Sequence, residues 1–108
     1  MITLNLRKKE FDLIKSGRKK TDYRDPSRFN KKKLLKIDEN GLFTANYDIK
    51  EICFRNGYKR DSESMVVEVV SIIPVKFTQA YTNEEDNFSA VAGCCQIEIK
   101  LGQIKQGG

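Results

Sequence analysis

The chain has 108 residues, with 20 Lys and Arg against 15 Asp and Glu, three Cys, and neither His nor Trp. That length is expected to form one domain of ordinary size. Without histidine there is no Ser-His-Asp or Cys-His triad and no His-ligated zinc. No apolar run approaches the ~20 residues that span a bilayer, and the N-terminus lacks the apolar stretch of a signal peptide. Three cysteines cannot all pair internally, no C-x-x-C spacing occurs, and Cys94 and Cys95 are adjacent. The expectation is therefore a soluble cytoplasmic protein with reduced thiols buried in strands, Cys95 pointing inward, and with neither cofactor nor metal.

Ile2, Leu4 and Leu6 alternate with Thr3, Asn5 and Arg7, the pattern of a half-buried strand. Lys8 to Ser16 follows with Phe11, Leu13 and Ile14 at helical spacing, and Gly17 supplies the stop. Arg7-Lys8-Lys9 puts positive charge at the positive end of that helix, partly offset by Glu10 and Asp12. A second strand over 20–24 sets Thr21 and Tyr23 on one face and Lys20, Asp22 and Arg24 on the other. Asp25-Pro26 ends it.

Ser27 to Ile37 reads as a basic helical turn or an excursion anchored by Phe29, Leu34 and Leu35, and Asp38-Glu39-Asn40-Gly41 reads as a turn. Ile49 to Arg55 is a strand with Ile52 and Phe54 inward, followed by the loop 56–60. Met65 to Val75 is rich in β-branched residues, as for a strand covered on both faces, with Pro74 marking a bulge or edge near its end. The polar, acidic stretch 78–88 reads as a loop or short helix. Cys95, Ile97, Ile99 and Leu101 alternate as a last strand, and Gly107-Gly108 is expected to fray. About five strands with one early helix define an α+β chain, a mixed and partly closed β-barrel. Its single domain spans residues 1–106.

Charge is unevenly distributed. Residues 1–36 hold 13 Lys and Arg against four acids, whereas residues 37–108 hold seven against 11. Such a split is the footprint of a partner that is a polyanion, most often nucleic acid, or else a solvated basic face. The stretch Gly17-Arg18-Lys19-Lys20-Thr21-Asp22-Tyr23-Arg24 concentrates the signal. An acid between two cations holds the arginine fork in place and leaves N–H groups for a phosphate or a base edge. Taken as structure alone, the same residues make a helix cap followed by a salt-bridged surface strand.

Gly17-x-Lys19-x-x-Asp22-x-Arg24 resembles the G-x-K-x-x-E-x-R signature of ASCH domains, small relatives of the PUA fold. The likeness extends to Ile2–Ile14, to Phe54-Arg55-Asn56-Gly57-Tyr58, to the Val66–Ile73 strand and to the closing Ile97-Glu98-Ile99-Lys100-Leu101-Gly102. One departure is Asp22 where glutamate is usual. The resemblance implies a PUA-like pseudo-barrel with one short helix after the first strand and a positive cleft for RNA or a nucleotide-like ligand. Some ASCH relatives hydrolyse acylated cytidine with a lysine, a threonine and a glutamate. Lys19 aligns with that lysine, Asp22 stands at the threonine position, and Thr21 should face the other way.

Three readings follow, the last of them a protein-interaction adaptor whose basic face meets an acidic partner. In the first, a monomeric RNA- or nucleotide-binding domain uses Lys19, Asp22 and Arg24, with Lys20, Arg28, Arg55, Tyr58 and Lys59 extending the surface; Tyr58 would stack on a base. In the second, a small amidohydrolase acts on N4-acylated cytidine or a related nucleoside, with Lys19 as catalytic base or cation and Asp22 or Glu68 as its partner.

Overall fold

In the computed structural model, which describes residues 1–107, nine strands and two helices run in the order β1 (Ile2–Leu6), α1 (Lys8–Lys15), β2 (Thr21–Arg24), α2 (Arg28–Leu34), β3 (Lys36–Ile37), β4 (Phe43–Thr44), β5 (Glu51–Asn56), β6 (Ser64–Lys76), β7 (Tyr81–Asn83), β8 (Phe88–Ala90) and β9 (Cys95–Gly107). Five of them form one sheet in the order β1-β5-β6-β9-β2. β1 runs parallel to β5 and every other pairing in this sheet is antiparallel. The sheet curls into a half-barrel. Two small ribbons, β3-β4 and β7-β8, flank it.

The core lies on the concave face. Leu4 and Leu6 of β1, Ile52 and Phe54 of β5, Met65, Val67, Val69 and Ile72 of β6, and Ile97, Ile99 and Leu101 of β9 all turn inward, where Phe11 and Ile14 of α1 meet them. The period-two patterns of β1, β5 and β9 thus appear as the sequence predicts. β6 breaks the pattern, because its buried positions step from Val69 to Ile72. The register with β9 shifts between Val69 and Ser71, so Val70 is the extra residue of a bulge that brings Ile72 back to the core face. Only one face of β6 is covered, and Val70 is 55% exposed. A strand buried on both faces is therefore corrected to a half-buried one. Pro74 sits beyond the end of β5, on a stretch whose other edge meets only the isolated bridge from Asn46 to Ile72 and no ladder among the described residues, so its missing N–H costs no ladder bond.

Other expectations also change. Of the two alternatives for Ser27–Ile37 the helical one holds, extended into a second helix, α2, and followed by β3. Ser27 Oγ accepts from the Asn30 N–H at 3.2 Å, a side-chain N-cap, and Leu34 enters the core. The stretch 78–88 is a hairpin, β7-β8, turned at Glu84–Asn87 with Asn87 at φ 51°. Gly107 pairs with Met65 rather than fraying, and Gly108, also expected to fray, falls outside the described residues. All three cysteines are free, but none is buried. Cys95 begins β9 opposite Lys76, past the last core residues, so the inward alternation stops at Ile97. No helix among the described residues is long and apolar enough to cross a membrane.

Two outcomes follow from this packing. Phe54→Ala removes a fully buried ring and should cost roughly 3–5 kcal/mol in urea unfolding; a loss below ~1 kcal/mol would mean this ring is not central to the core. In native protein treated with a thiol reagent, Cys95 should react ahead of Cys53, read by peptide mass spectrometry.

Candidate functional site

The site is assembled where α1 ends and β2 begins. Gly17 has φ 84°, a conformation that glycine adopts without strain, and the N–H groups of Arg18 and Lys19 both return to the Leu13 carbonyl. This tight exit swings Lys19 inward. Its side chain is almost wholly buried, and Nζ donates to the Asp86 carbonyl at 2.5 Å and lies 3.4 Å from Glu10 Oε2. The Asp86 carboxylate accepts from the Lys20 and Thr21 N–H groups at 2.9 and 3.1 Å, pinning the β7-β8 turn to the start of β2. Asn87 Nδ2 donates to Glu10 Oε1 at 2.6 Å and closes the ring.

Asp22 pairs with Ile99 across β2-β9 and so shares the core face. Its Oδ2 accepts from Arg24 Nε at 2.7 Å, and Arg24 Nη1 reaches across to the Asn5 carbonyl at 3.2 Å. Arg24 Nη2 and Asn5 Oδ1 are buried without a hydrogen-bond partner among the described residues. Burial pushes the Asp22 carboxyl above its ordinary value, while Arg24 and then Lys19 pull it back. On the next residue, Tyr23 stacks on Phe88 with ring centroids 3.9 Å apart, and its hydroxyl donates to Glu98 Oε2 at 3.3 Å. Burial first, and Glu98 second, hold that phenol above its usual range.

These groups surround a cleft of about 440 Å³, lined by Asn5, Leu6, Arg7, Glu10, Lys19, Asp22, Tyr23, Arg24, Asp25, Asn30, Tyr58, Asn87 and Phe88. That volume falls within the range of small-molecule sites. Of the residues expected at the site, Lys19, Asp22 and Arg24 converge, and Tyr58 stands at the rim, 85% exposed. Lys20, Arg28, Arg55 and Lys59 do not line the cleft. Lys20 instead faces a small hollow with Ile14, Gly17 and Leu101. Glu68 is exposed on β6 against Gly102, with its Oε1 3.5 Å from the Gln103 N–H, and is no partner for Lys19.

Glu10 and Asp86 hold Lys19 instead, and sequence reasoning assigned neither to the site. Glu10 carried a weak signal, an acid one turn into a helix that opens with three cations. Asp86 carried none, because only the hairpin brings it to β2. A second correction concerns sign: the cleft lining holds three cations (Arg7, Lys19, Arg24) and three acids (Glu10, Asp22, Asp25), so its charges balance. No group of three or more acids or cysteines placed to hold a metal occurs among the described residues. Comparison of the chain with family models, curated proteins and solved structures gives no match.

The raised Asp22 carboxyl has a consequence for stability. A carboxyl whose folded pKa exceeds its unfolded value of 3.8 binds its proton more tightly when folded, so its contribution falls as pH rises through the window between the two. Wild type should accordingly lose stability relative to Asp22→Asn as pH climbs from about 4 towards neutrality. Urea unfolding of both proteins across that range checks the sign, and parallel pH profiles would contradict it.

Proposed function

We propose that the chain is an ASCH-like domain of PUA type that binds RNA or a nucleotide-like ligand in this cleft. The observation that carries the reading is the Arg24 clamp. Asp22 and the Asn5 carbonyl fix the guanidinium at two of its nitrogens, and the third, Nη2, has no partner among the described residues. A fork held in this way is organised before a ligand arrives, and its remaining N–H groups suit a phosphate oxygen or a base edge. Tyr58 and Phe88 supply flat apolar surface on the cleft walls, suited to a planar ring. The half-barrel sheet and the helix-to-strand placement of Gly17–Arg24 support the ASCH-like assignment, and three free thiols suit a reducing cytoplasm.

A nucleoside amidohydrolase is the second reading, and one observation favours it: Lys19 is buried beside Glu10 while Asp22 is pushed towards its protonated form. An amine and two carboxyl groups at one site are the material of general acid-base chemistry. With Glu68 outside the cleft, Glu10 would take the partner's role.

Titration of labelled single-stranded RNA and of a mononucleotide, at two salt concentrations, tests binding. Arg24→Ala should weaken it by about 1–3 kcal/mol, the scale of hydrogen bonds from a charged group. Asp22→Asn should have a smaller effect. Absence of binding to both ligands at either salt would overturn the proposal. Release of acetate from N4-acetylcytidine that is lost in Asp22→Asn would move the assignment to the hydrolase.

A further inference from the structure

We propose that α2 is a second contact surface, a track that takes the phosphates of single-stranded RNA leading out of the cleft, with Phe29 as a stacking platform for a base. The inference rests on the nucleic-acid reading of the cleft and says where the polymer goes next. No acid occurs between Pro26 and Ile37, whereas Arg28, Lys31, Lys32 and Lys33 fall on successive turns of α2. Six cations elsewhere are paired: Lys8 with Asp12, Lys15 with Glu63, Lys19 with Glu10, Arg24 with Asp22, Lys36 with Asp48 and Lys105 with Glu51. The other ten outside α2 are spread along the chain from Arg7 to Lys100 rather than gathered in one acid-free element. None of the four α2 cations pairs with a carboxylate among the described residues. The cleft is charge-balanced, so the attraction for a polyanion resides on this helix rather than in the pocket.

Position and chemistry agree with charge. Asn30 of α2 lines the cleft, and its Nδ2 donates to the Asp25 carbonyl at 2.8 Å, so the helix starts at the cleft mouth. Phe29 is 71% exposed, and Lys33 Nζ lies 5.6 Å from its ring centroid. Lys33 also donates to the Thr3 carbonyl at 3.2 Å, and an exposed ring beside cations that have no carboxylate partner among the described residues suits a base stacked between phosphate contacts. A lipid surface fits less well. The helix has seven residues and turns Leu34 into the core, so Phe29 alone projects and there is no apolar stripe to insert.

The test compares wild type, a triple variant Arg28→Gln/Lys31→Gln/Lys32→Gln, and Phe29→Ala. The probes are a labelled single-stranded RNA longer than the cleft, a mononucleotide, and vesicles containing phosphatidylserine. The triple variant should flatten the slope of log K against log salt for RNA by about 2, since each lost phosphate contact removes ~0.7, and leave mononucleotide affinity unchanged. Phe29→Ala should weaken RNA binding about tenfold at an unchanged slope. An unaltered slope in the triple variant, or an equal loss for mononucleotide and RNA, would overturn the track. Vesicle binding that the triple variant loses while RNA affinity is kept would assign the helix to lipid. If wild type binds the mononucleotide but RNA no more tightly, the track fails and the cleft reading stands; if it binds neither, both fail.

Discussion

Arg24 joins the two margins of an open sheet. In the order β1-β5-β6-β9-β2 the edge strands are β1 and β2, and curling brings them face to face without a ladder between them. A guanidinium from β2 to the Asn5 carbonyl of β1 spans the gap, and Asp22, two residues earlier on the same strand, fixes its direction. A free edge normally exposes unpaired backbone groups, and here one of them is satisfied by a side chain. The gap so bridged is also the cleft. Closure of the half-barrel and construction of the site are one event, which is why the cleft lining comes from both margins.

The legible parts of the chain are those where a local period settles the answer. Ile52 and Phe54, or Ile97 and Ile99, can lie on one face only if the backbone is extended, and Phe11 with Ile14 can share a face only if it is helical. Gly17 announced the helix exit, and with it the convergence of Lys19, Asp22 and Arg24. What could not be read depends on distant partners. The hairpin β7-β8 sets Tyr81, Phe88 and Ala90 among polar residues, and it is held by the Asp86 carboxylate on the amides of Lys20 and Thr21 and by Phe88 stacked on Tyr23, all more than sixty residues away. The bulge at Val70 follows from register with β9, which no local pattern contains. Glu68 was read towards the cleft because an acid in an apolar strand invites a role, yet the alternation around it (Met65, Val67 and Val69 inward) leaves it outward.

Charge behaves differently in the two halves of the proposed surface. Around the cleft each buried cation has been matched: Lys19 by Glu10 and a carbonyl, Arg24 by Asp22. Leaving a buried charge without a partner is costly, so the charged side chains that are buried here carry their counter-charges with them. On α2 the cations have no carboxylate partner among the described residues, Lys33 donating instead to the Thr3 carbonyl at 3.2 Å and Lys31 lying over the Phe43 ring, because water solvates their exposed parts at little cost. Composition alone reports only their sum. The excess of the first third of the chain therefore overstated the charge of the pocket.

The Asp22–Arg24 contact couples the cleft to solvent protons. Arg24 is the main influence keeping the Asp22 carboxyl from rising further, since burial works in the opposite direction. A ligand that engages the guanidinium fork and draws it off Asp22 removes that restraint, and the carboxyl's affinity for a proton rises as the complex forms. Within the pH range over which that carboxyl titrates, occupancy of the pocket is then an acid-consuming step, and the measured heat of association there carries the ionisation enthalpy of whichever buffer supplies the proton.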